Sequence, residues 1–167
     1  KKLPVSGNDS STYDIRFFPE GGNLVNGLQS KVAFHAVEKN GKGIWCKGTV
    51  YNQNNDPVTT FQSLLFGMGH FNLTPVKGES YKAIVQTPTG ETITRVIPPA
   101  YENGYVMRLS PTNDGAIKVS VHSGNNNEFV FLLVHTRQVT KLAEIKTLTN
   151  GVAEFIVDKK ELGEGIS

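Results

Sequence analysis

The side chains that could do nucleophilic, acid–base or metal chemistry are few and far apart in this sequence. The single cysteine, Cys46, stands in the run Trp45-Cys46-Lys47-Gly48. The four histidines are His35, His70, His122 and His135. One cysteine cannot form an internal disulfide, and without a second Cys or paired His it does not make a structural zinc site. The spacing therefore predicts no metal site, and we expect the chain to need no cofactor.

Nucleophilic catalysis would need a Ser, Thr or Cys beside a base, and the sequence has no G-x-S-x-G elbow. Cys46 with His35 stays open as an alternative, because the two fall on neighbouring predicted strands. A free cysteine in such a run is more often buried and inert. Among the carboxylates, Glu20, Glu38 and Asp56 show no spacing suited to a general acid and base pair. We expect the chain not to be an enzyme.

Two further motifs are candidates for binding an ion or a phosphate, and a group of aromatic residues is a candidate for binding a sugar. The turn from Asn52 to Asp56 is rich in oxygen ligands for calcium, but it lacks the glycine and terminal Glu of an EF-hand loop. Gly67-Met68-Gly69 is no phosphate cradle, because no Gly-Lys-Ser/Thr follows it. Aromatic side chains that could stack on sugars are Trp45, Tyr51 and Tyr101. A carbohydrate- or peptide-binding module is therefore the alternative function.

Composition narrows the class of protein. The 167 residues include 17 Lys and Arg against 15 Asp and Glu, which gives neither a basic footprint for nucleic acid nor a polybasic membrane patch. No stretch approaches the roughly 18 consecutive apolar residues of a membrane span, and the start KKLPVSGNDSST lacks the apolar core of a signal peptide. Since the chain begins in a polar stretch and ends just after a turn signal, we expect it to be a piece of a longer polypeptide.

The elements that must position these residues are strands. Short runs rich in Val, Ile, Phe, Tyr and Thr alternate with clusters of Gly, Asn, Asp and Pro, which is typical of an all-β sandwich or barrel. The first seven predicted strands are Tyr13 to Phe18, Lys31 to Glu38, Cys46 to Asn52, Val58 to Leu65, His70 to Thr74, Ser80 to Thr87 and Glu91 to Ile97. Five more are Tyr105 to Leu109, Ala116 to His122, Glu128 to His135, Gln138 to Thr147 and Val152 to Val157.

The proline pair Pro98-Pro99 marks a predicted boundary, because paired prolines suit a linker better than a strand interior. The sequence then divides into a linker at residues 1–12, an antiparallel β-sandwich of fibronectin or immunoglobulin type at 13–100, and a partial second β-sandwich at 101–167. The run Phe129-Val130-Phe131-Leu132-Leu133-Val134 is apolar on both faces, which predicts a central strand covered on both sides.

One combination of motifs goes beyond a generic sandwich. FFPEGGNLVNGLQSKVAFHAV, followed by Gly41-Lys42-Gly43 and then by LFGMGHFNLTPVKGESYKA, resembles the macroglobulin-like (MG2-type) domains of the α2-macroglobulin family. The resemblance covers about Asp14 to Ile97, and the second segment looks like the beginning of the next such domain. The residues that carry the resemblance between Asp14 and Ile97 are Phe18, Pro19, Glu20, Gly21, Gly22, Gly67, Gly69, Phe71, Pro75 and Tyr81, which we call the signature residues. The family's thioester motif, C-G-E-Q, is missing here.

The resemblance implies a role and a location. Such domains occur in large envelope proteins of Gram-negative bacteria, including TonB-linked outer-membrane proteins. We therefore expect a periplasmic or cell-surface structural and interaction module that contacts neighbouring domains, another envelope protein, a peptide or a glycan. A dimer through an unpaired strand edge is a further expectation. In a fibronectin-like sandwich the first strand must leave its sheet after Phe18, so we expect Glu20 to be a corner carboxylate and not an acid catalyst.

Overall fold

The structure, a computed structural model, describes residues 12–163, and within that range the chain is nearly all β. The predicted linker, residues 1–12, lies outside the described residues except for Thr12. The elements in chain order are β1 (Tyr13–Pro19), β2 (Leu24–Val25), β3 (Ser30–Glu38), β4 (Lys47–Asn52), β5 (Pro57–Gln62), β6 (Met68–Leu73), β7 (Tyr81–Gln86), β8 (Thr92–Val96), β9 (Ala100–Tyr101), β10 (Tyr105–Pro111), β11 (Ile117–Ser123), β12 (Phe129–Thr136), β13 (Val139–Thr147), β14 (Val152–Val157) and α1 (Lys159–Leu162).

By its contacts the chain divides into two compact units, each made of separate stretches of sequence. The first unit contains the described residues up to Phe18, Val32–Phe71 and Ser80–Ile97. The second contains Pro19–Lys31, Asn72–Glu79 and the residues from Pro98 onward. The segment that begins with the Pro19-Glu20-Gly21-Gly22 corner therefore groups with the C-terminal strands.

The first unit is built from two sheets, with strand orders β1-β3-β6 and β5-β4-β7-β8. Buried and more exposed side chains alternate along these strands, as a sheet with one face toward the core requires. In β1, Tyr13, Ile15 and Phe17 are buried, and the residues between them are more exposed. Phenylalanine rings from the two sheets meet in the core, with Phe61 of β5 at 4.8 Å from Phe34 of β3 and 5.1 Å from Phe71 of β6, centroid to centroid. These ring contacts join the sheets into a sandwich.

The second unit combines the antiparallel sheet β10-β11-β14 with the antiparallel hairpin β12-β13. Its core is a cluster of buried side chains that includes Val119, Leu148 and Phe155, against which Val130 and Leu132 of the hairpin pack. The short strands β2 and β9 pair in parallel.

The all-β prediction is confirmed, and each of the twelve predicted strands is present with ends within three residues of those predicted. The two-residue strands β2 and β9 and the short helix α1 were not predicted. Two residues cannot show a period, and α1 begins with the Asp158 side chain accepting a hydrogen bond from the Lys160 N–H at 2.9 Å.

The prediction of a central strand at Phe129 to Val134 is wrong. Within residues 12–163, β12 pairs only with β13. One face of β12 packs on the core through Val130, Leu132 and Val134, while Phe131 on the other face is 76% exposed. Apolar residues on both faces predict burial on both sides, but nothing in residues 12–163 covers the outer face of β12.

The close approach of β6 to its neighbours leads to a testable prediction. A Cβ on Gly69 would stand 2.6 Å from the Gln62 carbonyl oxygen and 2.6 Å from the Phe34 ring. We expect Gly69→Ala to lower the free energy of unfolding by about 1 to 3 kcal/mol, because ring and backbone must shift to admit the methyl group. Urea unfolding followed by circular dichroism measures this change.

Gly124→Ala is the matched control, since no atom lies within 4 Å of a Cβ at that position. We expect its free energy of unfolding to stay within about 1 kcal/mol of the parent. Equal stability of the two variants would contradict the proposed role of the close approach.

Candidate interaction surfaces

The acidic corner after β1 is held by backbone hydrogen bonds. The Glu20 N–H donates to the Lys31 carbonyl at 2.8 Å, and the Gly22 N–H donates to the Pro19 carbonyl at 2.9 Å. Gly21 and Gly22 have φ values of 83° and 96°, a region that favours glycine. A Cβ on Gly21 would lie 2.9 Å from the Met107 nitrogen, so this corner runs close to β10.

The Glu20 side chain binds the edge of β10 that does not pair with β11. Its Oε1 accepts a hydrogen bond from the Leu109 N–H at 3.1 Å, and its Oε2 lies 3.8 Å from the Lys31 Nζ. The Arg108 guanidinium also donates to the Gln29 carbonyl of the same segment. A carboxylate engaged in this way satisfies a strand-edge amide, which is a structural task.

Charged and polar side chains cover the outer face of the β10-β11-β14 sheet near this corner. Lys118 Nζ donates to Glu154 at 3.0 Å, and the Ser120 hydroxyl donates to the same carboxylate at 3.3 Å. Partial burial and the positive charges of Arg108 and Lys118 lower the pKa of His122, while Glu154 acts in the opposite direction. The carboxylate is bonded to its cross-strand neighbours, so the cluster is a set of cross-strand pairs that stabilise the sheet.

The candidate catalytic pair, Cys46 and His35, is not brought together. Cys46 is fully buried and its N–H donates to the Ser63 hydroxyl at 2.8 Å, whereas His35 is exposed on β3, in the other sheet of the first unit. Burial raises the pKa of the Cys46 thiol, and the hydrogen bond with Ser63 opposes this rise. The thiolate needed for nucleophilic attack is therefore disfavoured.

The part of the chain that the structure describes contains no group of three or more His, Cys, Asp or Glu side chains placed to hold a metal ion. In the oxygen-rich turn, Asn52 Oδ1 accepts hydrogen bonds from the N–H groups of Asn54 and Asp56, at 3.0 and 2.9 Å. Asp56 Oδ2 accepts from Asn52 Nδ2 at 3.2 Å. These oxygens close the turn on itself and serve as turn acceptors.

A polar groove of about 740 Å³ crosses the outer face of the four-stranded sheet in the first unit. Cross-strand pairing sets its floor, with Thr49 between Thr60 and Ile84. The other polar and aromatic lining residues are Lys47, Tyr51, Phe61, Gln62, His70 and Gln86. Among the three aromatic residues considered for sugar stacking, Tyr51 alone lines this groove, while Trp45 and Tyr101 are exposed elsewhere. Sequence reasoning missed the groove because its residues come from four strands.

The outer side of the β12-β13 hairpin forms an apolar surface, which we call the hairpin face. Residues that pair directly across the two strands have their side chains on the same side of the hairpin, and Phe131 pairs in this way with Ile145. The members are Phe129, Phe131, Leu133, Ala143, Ile145 and Thr147. All six are exposed and uncharged, and the exposed Lys141 lies next to Ala143 by alternation along β13, at the end of this surface. A monomer rarely leaves so large an apolar patch in water without a partner.

The ten signature residues do not converge on one site. Phe71 and Tyr81 are buried in the first unit, where Phe18 is half exposed and Gly67 and Gly69 lie at and after the β5-β6 turn. Those in the second unit are the corner residues Pro19, Glu20, Gly21 and Gly22, together with Pro75, whose carbonyl accepts a hydrogen bond from the Gly27 N–H at 2.8 Å. Each occupies a turn, a core position or a close backbone approach.

Comparison with models of known protein families, with curated proteins and with solved structures finds no match to this chain. Among the described residues, no helix is long and apolar enough to cross a membrane.

The Glu20 contact leads to a second prediction. We expect Glu20→Ala to lower the free energy of unfolding by about 1.5 to 3 kcal/mol, because the Leu109 amide loses a charged acceptor. Glu20→Gln is the matched control, since its side-chain carbonyl can replace Oε1 at that amide and should restore most of the stability. Chemical denaturation of the three proteins measures the difference. A Glu20→Ala variant as stable as the parent would show that the contact does not hold the corner.

Proposed function

We propose that this chain is a non-catalytic structural and interaction module of a larger extracytoplasmic bacterial envelope protein. It acts there as a spacer and as a protein-binding surface. The observation that carries the binding part is the hairpin face, an uncharged apolar surface on a two-stranded element that is exposed along its length. The location follows from the resemblance of the Phe18-to-Tyr81 motifs to macroglobulin-like domains.

The state of the candidate nucleophile Cys46 and of two carboxylates supports the non-catalytic part. Cys46 is buried with a raised pKa and its backbone amide is bonded to Ser63. Oε1 of Glu20 accepts a hydrogen bond from the Leu109 N–H, and Oε1 of Glu154 accepts from Lys118 and Ser120. Oε2 of Glu20 is buried and lies 3.8 Å from the Lys31 Nζ. Such groups stabilise sheets and turns and leave little free for acid–base work.

The partner that the hairpin face fits is a second copy of the chain. The face has no charged member, so two copies can oppose it about a two-fold axis without like-charge repulsion. Phe129 and Phe131 are 67% and 76% exposed. With Leu133 and Ile145 they offer roughly 500 Å² per copy, or about 1,000 Å² in a symmetric pair. That total lies at the lower end of specific protein interfaces, so we expect a weak dimer.

A third prediction tests this dimer. Sedimentation velocity over a concentration series should show a reversible monomer–dimer equilibrium for the parent chain. Phe131→Lys should be monomeric, because it places two like charges at the centre of the symmetric contact. The substitution should leave stability nearly unchanged, since Phe131 is 76% exposed.

Val96→Lys is the matched control, because Val96 is an equally exposed apolar strand residue in the first unit. It should dimerise as the parent does. A parent chain that stays monomeric throughout would refute the self-association. A Phe131→Lys variant that still dimerises would place the contact at strand edges and not at the hairpin face.

The polar groove of the first unit favours a second candidate function, a carbohydrate- or peptide-binding module. Tyr51 offers an aromatic surface toward one end of the groove, and the amides of Gln62 and Gln86 flank Lys47 at the other end, a combination suited to an extended ligand with hydroxyl or amide groups. We expect saturable binding on a glycan or peptide array that Tyr51→Ala abolishes and Tyr101→Ala leaves unchanged. Tyr101 is the control because it is exposed and does not line the groove. Equal binding by both variants would reject this function.

A further inference from the structure

The tight turn between β5 and β6 presents a second group of exposed apolar side chains, all within the first unit. We call this group the apolar turn. It consists of Leu64, Leu65, Phe66 and Met68, with Trp45 on the adjoining segment. Trp45 belongs to it because the Ser63 N–H donates to the Cys46 carbonyl at 2.8 Å, which runs the two segments side by side. Every member is at least half exposed, and Phe66 is 76% exposed.

The backbone of the turn is an unfavourable place for a phenylalanine. Leu65 and Met68 form an isolated antiparallel β-bridge, in which the Met68 N–H donates to the Leu65 carbonyl at 2.9 Å. Phe66 and Gly67 are therefore the two central residues of the turn. Their φ values are 54° and 74°. Such turns prefer Asn-Gly, because a bulky residue at positive φ is sterically strained. The fold therefore gains nothing from Phe66 that Asn would not supply.

Strain and exposure together indicate that the side chains of the turn serve something outside the folded chain. Phe66 lies at the tip of a two-residue turn, so it projects and does not form part of a flat sheet surface. The members other than Trp45 have no strong hydrogen-bonding side-chain group, so the turn fits a partner that offers no fixed polar groups. The acyl region just beneath lipid headgroups has this character, and Trp prefers that depth.

The charges beside the turn complement an anionic lipid surface. The segments at residues 42–48 and 61–70 carry Lys42 and Lys47, and the carboxylate nearest along the backbone is Glu38, whose N–H donates to the Lys42 carbonyl at 2.9 Å. Two lysines are too few for attraction by charge alone, so insertion of the apolar side chains must supply most of the binding. We propose that the apolar turn inserts into the surface of a lipid bilayer, with Lys42 and Lys47 facing anionic headgroups.

The experiment uses the single tryptophan of the chain as its reporter. The parent chain is mixed with vesicles of phosphatidylcholine containing about one third phosphatidylglycerol. We expect the emission of Trp45 to shift to shorter wavelength and the protein to sediment with the vesicles. Binding to pure phosphatidylcholine vesicles should be weaker, because the lysine contacts are lost.

Phe66→Asn is the decisive variant. Asn suits the positive φ at this position, so its thermal midpoint should equal or exceed that of the parent, which excludes unfolding as an explanation. Its partitioning into the mixed vesicles should fall by about tenfold or more, since a large apolar side chain no longer enters the bilayer. Phe131→Asn is the matched control, because the two phenylalanines have the same exposed fraction of 76%. It should bind vesicles as the parent does.

The remaining outcomes overturn the proposal. Absence of both the emission shift and co-sedimentation would do so, as would equal losses in Phe66→Asn and Phe131→Asn. A Trp45 shift that depends on protein concentration without vesicles, and disappears in Phe66→Asn, would assign the turn to a contact between proteins. Because Phe131 and not Phe66 belongs to the hairpin face, failure here leaves the proposed dimer standing, and failure of the dimer leaves the lipid contact standing.

Discussion

The packing of four phenylalanine rings between two sheets is the constraint on which the first unit depends. Phe17 touches Phe34, Phe61 and Phe71, with centroid distances from 5.9 to 6.5 Å. The rings leave no room for side chains at two places. A Cβ on Gly48 would meet the Phe61 ring at 2.4 Å, and one on Gly69 would meet the Phe34 ring. Gly48 and Gly69 are therefore consequences of the ring cluster.

The polar side chains of this molecule mostly have partners within the fold, whereas two groups of apolar side chains are exposed. Several polar side chains that could take part in acid–base chemistry or ligand binding instead form hydrogen bonds within sheets and turns. They are Glu20, Glu154 and those of the turn at Asn52. The hairpin face and the apolar turn, in contrast, have nothing in the described chain that covers them. These two uncovered surfaces are the observations on which the proposed contacts with a second copy and with a lipid surface rest.

Strand positions could be read from the sequence because alternation and turn residues are local signals. Tyr13 to Phe18 and Ser80 to Thr87 show a clear period of two, and both are strands close to those limits. Burial could not be read in the same way. Phe129 to Val134 is apolar on both faces, and only pairing partners decide which face is covered. Trp45 and Phe66 are twenty-one residues apart, so no local pattern predicts that they lie close together. The net charge of the whole chain likewise gives no indication that Lys42 and Lys47 lie beside them. The positive φ of Phe66 has no signal in the sequence either.

The interleaving of the two units has a consequence for how the chain is made and how it can evolve. Residues 19–31 and 72–79 group with the strands that follow Pro98. During synthesis, contacts of these segments such as that of Glu20 with Leu109 must wait until the residues after Pro98 have been made, so formation of the second unit is delayed by its sequence separation. A recombination event with a single breakpoint near Pro98 would separate these segments from that unit. Exchange of either unit between genes requires several coordinated breakpoints, so the two are expected to be inherited together.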